Sequence, residues 1–107
     1  MVEKFIQVVT TTERKEDAEK IARTLVEEKL AGCVQIIGPL ASIYRWEGSV
    51  EHGEEWLCSI KTSHKLYSAV ETSIKKLHPY DVPEIIALPI VAGSVEYLRW
   101  LGGQIGK

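Results

Sequence analysis

The sequence predicts an α+β fold, an antiparallel sheet with helices on one face, built as a single domain over residues 1–107. Two observations predict it. Some segments are rich in β-branched residues, as strands are, and in others apolar residues recur at helical spacing. These segments follow one another as βαββαβ plus a short C-terminal helix, the order of the ferredoxin-like split sandwich. A chain of 107 residues has room for one core and for no second one.

The chain begins with a strand and a helix. Residues 5–11 are rich in β-branched side chains, which predicts the first strand. Over residues 18–30 the apolar positions recur at helical spacing, which predicts a helix. We expect Thr11 or Thr12 to cap its start, because a hydroxyl there accepts from the free backbone N–H groups. Gly32 marks its end.

A long hairpin follows. Residues 34–46 predict a strand that is interrupted at Gly38-Pro39, because proline has no N–H to give to a ladder and favours a bulge or a bend. The polar and glycine-rich residues 46–53 predict the turn. Residues 54–62 predict the returning strand.

The second half repeats the pattern of helix and strand. Residues 64–77 carry one apolar stripe and predict a helix with Ser63 as N-cap. Residues 85–91 predict the fourth strand. Ser94 opens a last short helix that we expect to end at Gly102-Gly103.

Between the second helix and the fourth strand lies a stiff polar loop, residues 78–84. It holds an imidazole, a phenol, two carboxylates and two prolines. The prolines restrict His78 and Val82 to extended geometry, so the helix has to stop near Leu77. Clustered polar groups on a stiffened loop are typical of a functional site.

Composition excludes several classes of protein. A net charge of −2 argues against nucleic acid as a partner. No apolar run reaches membrane-spanning length and no signal peptide is evident, so the sequence predicts a cytoplasmic protein. Cys33 and Cys58 form no CxxC motif and lie in strand-like sequence, where buried free thiols are the expectation and a disulfide between adjacent strands the alternative.

The strands also predict self-association. Pairs such as Val8-Val9 and Ile36-Ile37 are apolar at consecutive positions, as are residues 85–88, so both faces of the sheet should be covered. The predicted helices suffice for only one face. We therefore expect another subunit to cover the other, because a bare apolar face favours association.

Five segments of the chain together resemble the CutA family, the divalent-cation tolerance proteins. The segments span nearly the whole sequence: Lys29-Leu30-Ala31-Gly32-Cys33, Ser42-Ile43-Tyr44-Arg45-Trp46-Glu47-Gly48, Glu55 with Lys61-Thr62, residues 78–85, and Tyr97-Leu98-Arg99-Trp100-Leu101. The resemblance implies a homotrimer of ferredoxin-like subunits with inward-facing sheets and hairpins that reach between neighbours, similar to the PII signalling proteins. It also implies a role in tolerance to copper and other divalent metals.

The resemblance implies a metal site only in part. The family's copper pattern has a cysteine late in the first strand and two histidines before Pro-Tyr. This chain has Thr10 or a neighbour at the first place and Leu77 in place of the first histidine, so His78 alone remains. We predict His78, Glu84 and Cys33 as ligands for a weakly held copper or other divalent ion, with no cofactor required.

Three functions are compatible with these residues. The metal site is one. A thiol–imidazole–carboxylate hydrolase built from Cys33, His78 and Glu84 is another. The third is a trimeric scaffold or small-molecule sensor without a physiological metal. We predict a non-enzymatic protein, since no oxyanion pocket is evident, and for His78 the simplest alternative is a hydrogen-bonded loop residue.

The predicted site is a cleft at a subunit interface, which aromatic walls and convergent charges favour. The members of this cleft, besides the three metal-ligand candidates, are Tyr44, Trp46, Glu55, Lys61 and Tyr80. In it Lys61 would balance Glu84, Glu84 would orient His78 or share its metal, and Tyr80 would act as a wall or a hydrogen-bond donor. The alternative is that the aromatic residues only fill the interface, where they are enriched.

Overall fold

The structure is a computed structural model that describes residues 4–106. The elements in chain order are β1 Phe5–Thr12, α1 Lys15–Glu27, β2 Cys33–Trp46, β3 Ser49–Ser63, a 3₁₀ turn His64–Leu66, α2 Tyr67–Leu77, β4 Ile86–Pro89 and α3 Val95–Gln104. This order confirms the predicted α+β fold with a C-terminal helix. No helix within these residues has the length and apolar character needed to cross a membrane.

The sheet has four antiparallel strands in the order β2-β3-β1-β4. Val8 of β1 lies opposite Ile60 of β3 on one side and Ala87 of β4 on the other. The even-numbered residues of β1 and β3 point to one face, where α1 and α2 pack. The core formed there consists mainly of Ile6, Val8, Ala18, Ile21, Leu25, Ala31, Cys58, Ile60, Val70 and Ile74.

The hairpin of β2 and β3 is longer than predicted. The prediction of a turn over residues 46–53 is wrong, because β3 already begins at Ser49. Glu47 and Gly48 have φ values of 48° and 83°, so a two-residue turn with both residues in the left-handed region reverses the chain. The predicted irregularity is confirmed, since the register of the ladder shifts between Ile37 and Leu40.

Two predicted boundaries change, and one predicted cap is confirmed. α3 continues through Gly102-Gly103 to Gln104, because the apolar residues Leu101 and Ile105 on either side are buried and hold the last turn. β4 covers only Ile86–Pro89, as proline weakens the ladder there. Ser94 caps α3 as predicted, its Oγ accepting from the backbone N–H of Tyr97 at 3.0 Å.

The two other predicted caps are wrong. The cap residue of α1 is Arg14, without a side-chain bond, and the Thr12 hydroxyl instead donates to the Arg14 carbonyl at 2.8 Å. Ser63 makes no cap bond, and a 3₁₀ turn at His64–Leu66 leads into α2. Tertiary packing can supply what a missing cap would contribute, since it provides most of the stability of a helix in a folded protein.

The sheet face opposite α1 and α2, which we call the helix-free face, is incompletely covered within the chain. Ile37, Ile86 and Leu88 are 55%, 51% and 45% exposed there. Each neighbours a residue that points to the helices, which explains the consecutive apolar positions of the sequence. The expectation that both faces are covered is thus not met within a single chain.

Candidate functional site

His78 lies at the junction of α2 and the polar loop, and the residue is 8% exposed. Its backbone leaves the helix for extended geometry, as the following proline requires. Nε2 lies 2.7 Å from the carbonyl oxygen of Thr11 in β1, and Nδ1 accepts from the backbone N–H of Tyr80 at 3.2 Å. Since a carbonyl only accepts, these partners assign the proton to Nε2 of a neutral ring. Both ring nitrogens are therefore occupied by structural bonds.

Tyr80 joins this loop to the hairpin. Its ring packs on His78 with the centroids 4.6 Å apart, and its hydroxyl donates to Glu55 Oε2 at 2.8 Å. Burial raises the pKa of Tyr80 well above its usual range, and the bond to the Glu55 carboxylate adds to the shift. Tyr80 is consequently a hydrogen-bond donor at any ordinary pH.

Glu55 is held by two hydroxyl groups. Its Oε1 accepts from Ser42 of β2 at 2.6 Å, while Oε2 accepts from Tyr80. Glu55 lies on β3 opposite Leu40, just beyond the irregularity of the hairpin. The carboxylate therefore bridges the base of the hairpin and the polar loop, and each of its oxygens keeps a lone pair for a further donor.

These residues border an open cleft of about 650 Å³. The cleft is lined by Thr11, Ala41, Ser42, Ile43, Tyr44, Trp46, Glu55, Tyr80, Asp81, Val82 and Glu84. Three aromatic rings form its walls, and among residues 4–106 its only charged lining side chains are the three carboxylates, with no lysine, arginine or histidine. A volume of this size falls within the range of small-molecule sites.

The structure brings five of the predicted residues together. Tyr44, Trp46, Glu55, Tyr80 and Glu84 all line the cleft, and His78 lies behind Tyr80. The contacts predicted for His78 and Glu84 with each other are replaced by those of His78 with Thr11 and Tyr80.

Lys61 lies outside the cleft. Its Nζ donates to Gln35 Oε1 at 2.6 Å and to Ser59 Oγ at 3.0 Å on the helix-free face. Within the chain Lys61 does not form the expected pair with Glu84, because side chains of neighbouring strand positions accept from its ammonium group instead.

Cys33 is also placed elsewhere. In the sheet Cys33 lies opposite Lys61 of β3, and Lys61 lies opposite Gln7 of β1. His78 contacts β1 at Thr11 instead, which is roughly 13 Å farther along that strand than Gln7. Near Cys33 is Tyr97 of α3, whose pKa is raised by burial and by this thiol. Cys33 and His78 thus form neither a common metal site nor a catalytic pair within the chain.

Among residues 4–106 no group of three or more histidine, cysteine, aspartate or glutamate side chains is arranged to hold a metal ion. The cleft carboxylates belong to three different positions of the hairpin and the loop rather than to one point. The chain by itself therefore provides an acidic surface and no convergent ligand set.

Six of the eleven lining residues were not predicted as site residues, among them the polar Ser42 and Asp81. Ser42 shares a face of β2 with Tyr44 and Trp46, because alternate residues of a strand point the same way, so the period of two was the available signal. Asp81 lies in the polar loop, but nothing in the sequence shows which loop side chains face the hairpin.

Comparison with known proteins places these features in a family. The family model described as "CutA1 divalent ion tolerance protein" matches residues 6–104. The chain is 48% identical over 99 residues to the divalent-cation tolerance protein CutA of Thermus thermophilus, covering 92% of this chain and 96% of that one. It is 45% identical to the chloroplastic protein CutA of Arabidopsis thaliana, covering 90% of this chain but only about half (53%) of the longer relative.

A solved structure supports the same assignment. The crystal structure of CutA1 from Oryza sativa superimposes with a TM-score of 0.94 at 41% sequence identity, and the match covers 97% of this chain and 95% of that one. A family match over nearly the whole chain and close agreement of the fold lead to one conclusion. The chain belongs to the CutA1 family of divalent ion tolerance proteins.

Proposed function

We propose that the protein acts in divalent-cation tolerance as a non-enzymatic homotrimer, with at most weak binding of copper or another divalent ion. The observation that carries this proposal is the helix-free face. Its apolar residues Ile37, Ile86 and Leu88 are each about half exposed in a chain of only 107 residues. Apolar surface of this kind on a small protein favours association, because burial removes it from water.

The hairpin supports the same proposal. Its outer half carries exposed apolar side chains on both strands, among them Ile43, Tyr44, Trp46 and Val50. The chain measures 46 × 25 × 22 Å, so it is strongly elongated. An arm with apolar side chains that its own chain leaves uncovered is suited to contact neighbouring subunits.

Metal binding is the weaker part of the proposal. A divalent ion would meet the carboxylates of Asp81 and Glu84 at the cleft, where the described part of the chain contributes no basic lining residue. One or two carboxylates and water give modest affinity, whereas tight sites for transition metals use several convergent nitrogen or sulfur ligands. His78 is not free for such a role while both ring nitrogens bond to the backbone.

A non-enzymatic role and a cytoplasmic location complete the proposal. The separation of Cys33 from His78 leaves the thiol without an imidazole base, which argues against the hydrolase. Cys33 and Cys58 are both free thiols, as is usual in a reducing compartment. Assay of the protein on ester substrates, beside Cys33→Ser, tests the first point, and cell fractionation tests the second.

Copper titration by calorimetry, with light scattering on the same sample, tests the central proposal. We expect a trimer that binds copper weakly, with the affinity reduced in the double variant Asp81→Asn, Glu84→Gln and unchanged in Glu19→Gln, an exposed acid on α1. A particle of 12.0 kDa at micromolar concentration would overturn the trimer. Tight stoichiometric binding that His78→Gln abolishes would instead restore His78 as the principal ligand.

The second candidate, a trimeric scaffold that senses a small molecule, is favoured by one observation. The cleft is open and large, and two of its lining side chains, Glu55 and Tyr80, are held in place because Glu55 accepts from Ser42 and from Tyr80. A preformed pocket with a few placed polar groups is the usual form of a small-molecule site.

A further inference from the structure

We infer that a neighbouring subunit completes the cleft, with the ammonium group of Lys61 in one subunit paired to the carboxylate of Glu84 in the next. This inference rests on the proposed trimer and goes one step beyond it, because it names a contact between charged groups that joins adjacent subunits. It also gives a physical reason for weak metal binding, since a divalent ion at Glu84 would have to displace an ammonium group.

Lys61 supplies the positive charge of the helix-free face. Residues that lie opposite one another in a sheet point to the same face, as do alternate residues of one strand. By this rule Lys61 is the only lysine or arginine among the described strand residues that points to the helix-free face. Its Nζ donates to two neutral acceptors, Gln35 Oε1 and Ser59 Oγ, and within residues 4–106 it forms no salt bridge. An ammonium group has three donors, so one N–H and the charge itself are left for another partner.

Glu84 supplies a negative charge on the same face. Ile85 packs against the core beneath the helices, whereas Ile86 is 51% exposed on the helix-free face. Because side chains alternate along an extended segment, Glu84 points to the same face as Ile86, and it lines the cleft there. Glu84 is exposed, and no salt bridge within the described part of the chain includes it.

Within one chain these two charges lie far apart. Lys61 and Leu88 both lie opposite Gln7 of β1, so β1 separates them and they are two strand spacings, about 10 Å, apart. Glu84 comes four positions before Leu88, which is roughly 13 Å farther along the sheet. The hydrogen bonds of Lys61 to its own neighbours hold it at its place, so the pair forms between chains.

Threefold symmetry brings the two positions together. In a closed ring the interface is heterologous, so one patch of each subunit meets a different patch of the next. Lys61 lies on β3, towards the β2 edge of the sheet, whereas Glu84 leads into β4, the strand at the opposite edge. A ring that joins the β2 side of one helix-free face to the β4 side of the next places a cation against a carboxylate at each interface.

Covering this face makes the pairing favourable. The exposed apolar residues Ile37, Ile86 and Leu88 favour its removal from water, and Lys61 and Glu84 are then removed from water with them. A charge that leaves water without an opposite charge is strongly destabilising. The paired ammonium and carboxylate groups offset that cost for each other, and each subunit supplies both of them.

Charge reversal in the intact protein tests the pair. Lys61→Glu and Glu84→Lys should each lower the urea midpoint of unfolding at a fixed protein concentration, because each places like charges at the interface. The variant that carries both reversals restores the opposite charges, so it should recover roughly half or more of the summed loss. Glu19→Lys on α1, combined with Lys61→Glu, is the matched control and should recover nothing.

Copper titration of the trimer by calorimetry gives a second measurement. Lys61→Gln removes the ammonium group, so copper(II) chloride should bind several-fold more tightly than to the wild type, because a like charge near the ligand is gone. Adding Glu84→Gln should abolish that gain, whereas adding Glu19→Gln should keep it. Light scattering on each sample shows that the trimer is the species measured.

Three outcomes with an intact trimer overturn the inference. The first is that the effects of the two reversals simply add. The second is that Asp81→Lys rescues Lys61→Glu as well as Glu84→Lys does, which would deny the assignment to Glu84. The third is an unchanged copper affinity in Lys61→Gln, which would remove the competition with metal. A wild-type particle of 12.0 kDa would overturn the proposed trimer and the pair together, so the two failures are distinguishable.

Discussion

At the scale of single residues, His78 has a structural role, because both of its ring nitrogens bond to backbone groups. The ring of His78 connects the carbonyl of Thr11 in β1 with the N–H of Tyr80 in the loop. A buried polar atom that loses its partner costs free energy, so His78 fixes where the loop meets the sheet.

We expect His78→Ala to lower the free energy of unfolding by about 2–4 kcal/mol, because two backbone groups lose their partners and Tyr80 loses its stacking contact. His52→Ala, at an exposed position of the hairpin, should change it by less than about 0.5 kcal/mol. Urea denaturation at one fixed protein concentration measures both. Equal effects of the two substitutions would show that the His78 bonds contribute nothing to stability.

The buried thiol of Cys58 predicts a loss of folding stability at alkaline pH. Burial raises the pKa of this thiol from its ordinary value of 9.0 to about 11. The folded state therefore keeps the proton where the unfolded state releases it. The ionisation of Cys58 therefore leaves stability unaffected below pH 9. Between pH 9 and 11 it lowers the free energy of unfolding by roughly 2–3 kcal/mol in all.

Denaturation at several pH values between 8 and 11 tests this expectation. Cys58→Ala should decline less steeply than the wild type over this range, whereas Cys33→Ala should follow the wild type. Tyr80, whose pKa is also raised by burial, contributes to every variant alike, so the difference between curves isolates Cys58. Parallel curves for Cys58→Ala and the wild type would contradict the assignment.

At the scale of elements, the β2–β3 hairpin decides the shape of the cleft. Its irregularity lies between Ile37 and Leu40, directly before the residues that line the cleft. A bulge bends and twists a strand locally and so re-aims the side chains that follow it. Close packing at this point is required, because a Cβ on Gly38 would come within 2.7 Å of the Trp56 ring.

Gly38→Ala is therefore expected to destabilise the protein by about 1–3 kcal/mol, since Trp56 or the strand has to move. Gly53→Ala on the same hairpin is the matched control, because a Cβ there has no heavy atom within 4 Å. Thermal unfolding and tryptophan fluorescence report on the two variants. An unchanged Gly38→Ala would mean that the contact with Trp56 relaxes at no cost.

At the scale of the whole molecule, the distribution of apolar surface distinguishes the two faces of the sheet. The helical face has the buried core, with Val8 and Ile60 fully buried between sheet and helices. The helix-free face has a polar centre, where Gln7 and Lys61 both bond to Ser59, and apolar residues around it. In the proposed trimer this second face would be covered by neighbouring subunits.

Leu88→Lys provides a test at this scale. Leu88 is 45% exposed within the chain, so in a monomer the substitution should have little effect, but in the proposed trimer it would bury a charge at the interface. We expect dissociation, seen as a fall in mass by light scattering. Val26→Lys on α1, at a similarly exposed apolar position, should leave the mass unchanged. Persistence of the trimer in Leu88→Lys would place the interface elsewhere.

The sequence by itself determined the kinds of element, their order and the character of the polar loop. Hydrophobic periodicity is a local property, since it records for each segment which side is buried, and so β1, α1 and the hairpin could be predicted from adjacent residues. The fixed backbone of proline likewise ended α2 at Leu77. Turn length and the end of α3 were less accessible, because strand pairing continues through Gly53 and helix packing continues through Gly102 despite their local signals.

Only the tertiary structure decided which polar atoms meet. His78 bonds to a carbonyl 67 positions away, and Tyr80 to Glu55, 25 positions away, while Lys61 bonds to Gln35 and Ser59 of neighbouring positions in the sheet. The type of a residue indicates which groups its side chain is able to bind. For each of these side chains, several residues of the sequence offered a suitable hydrogen-bond partner. The choice among them follows from strand register and from the direction in which each side chain leaves the backbone, and both are set when separate elements pack together.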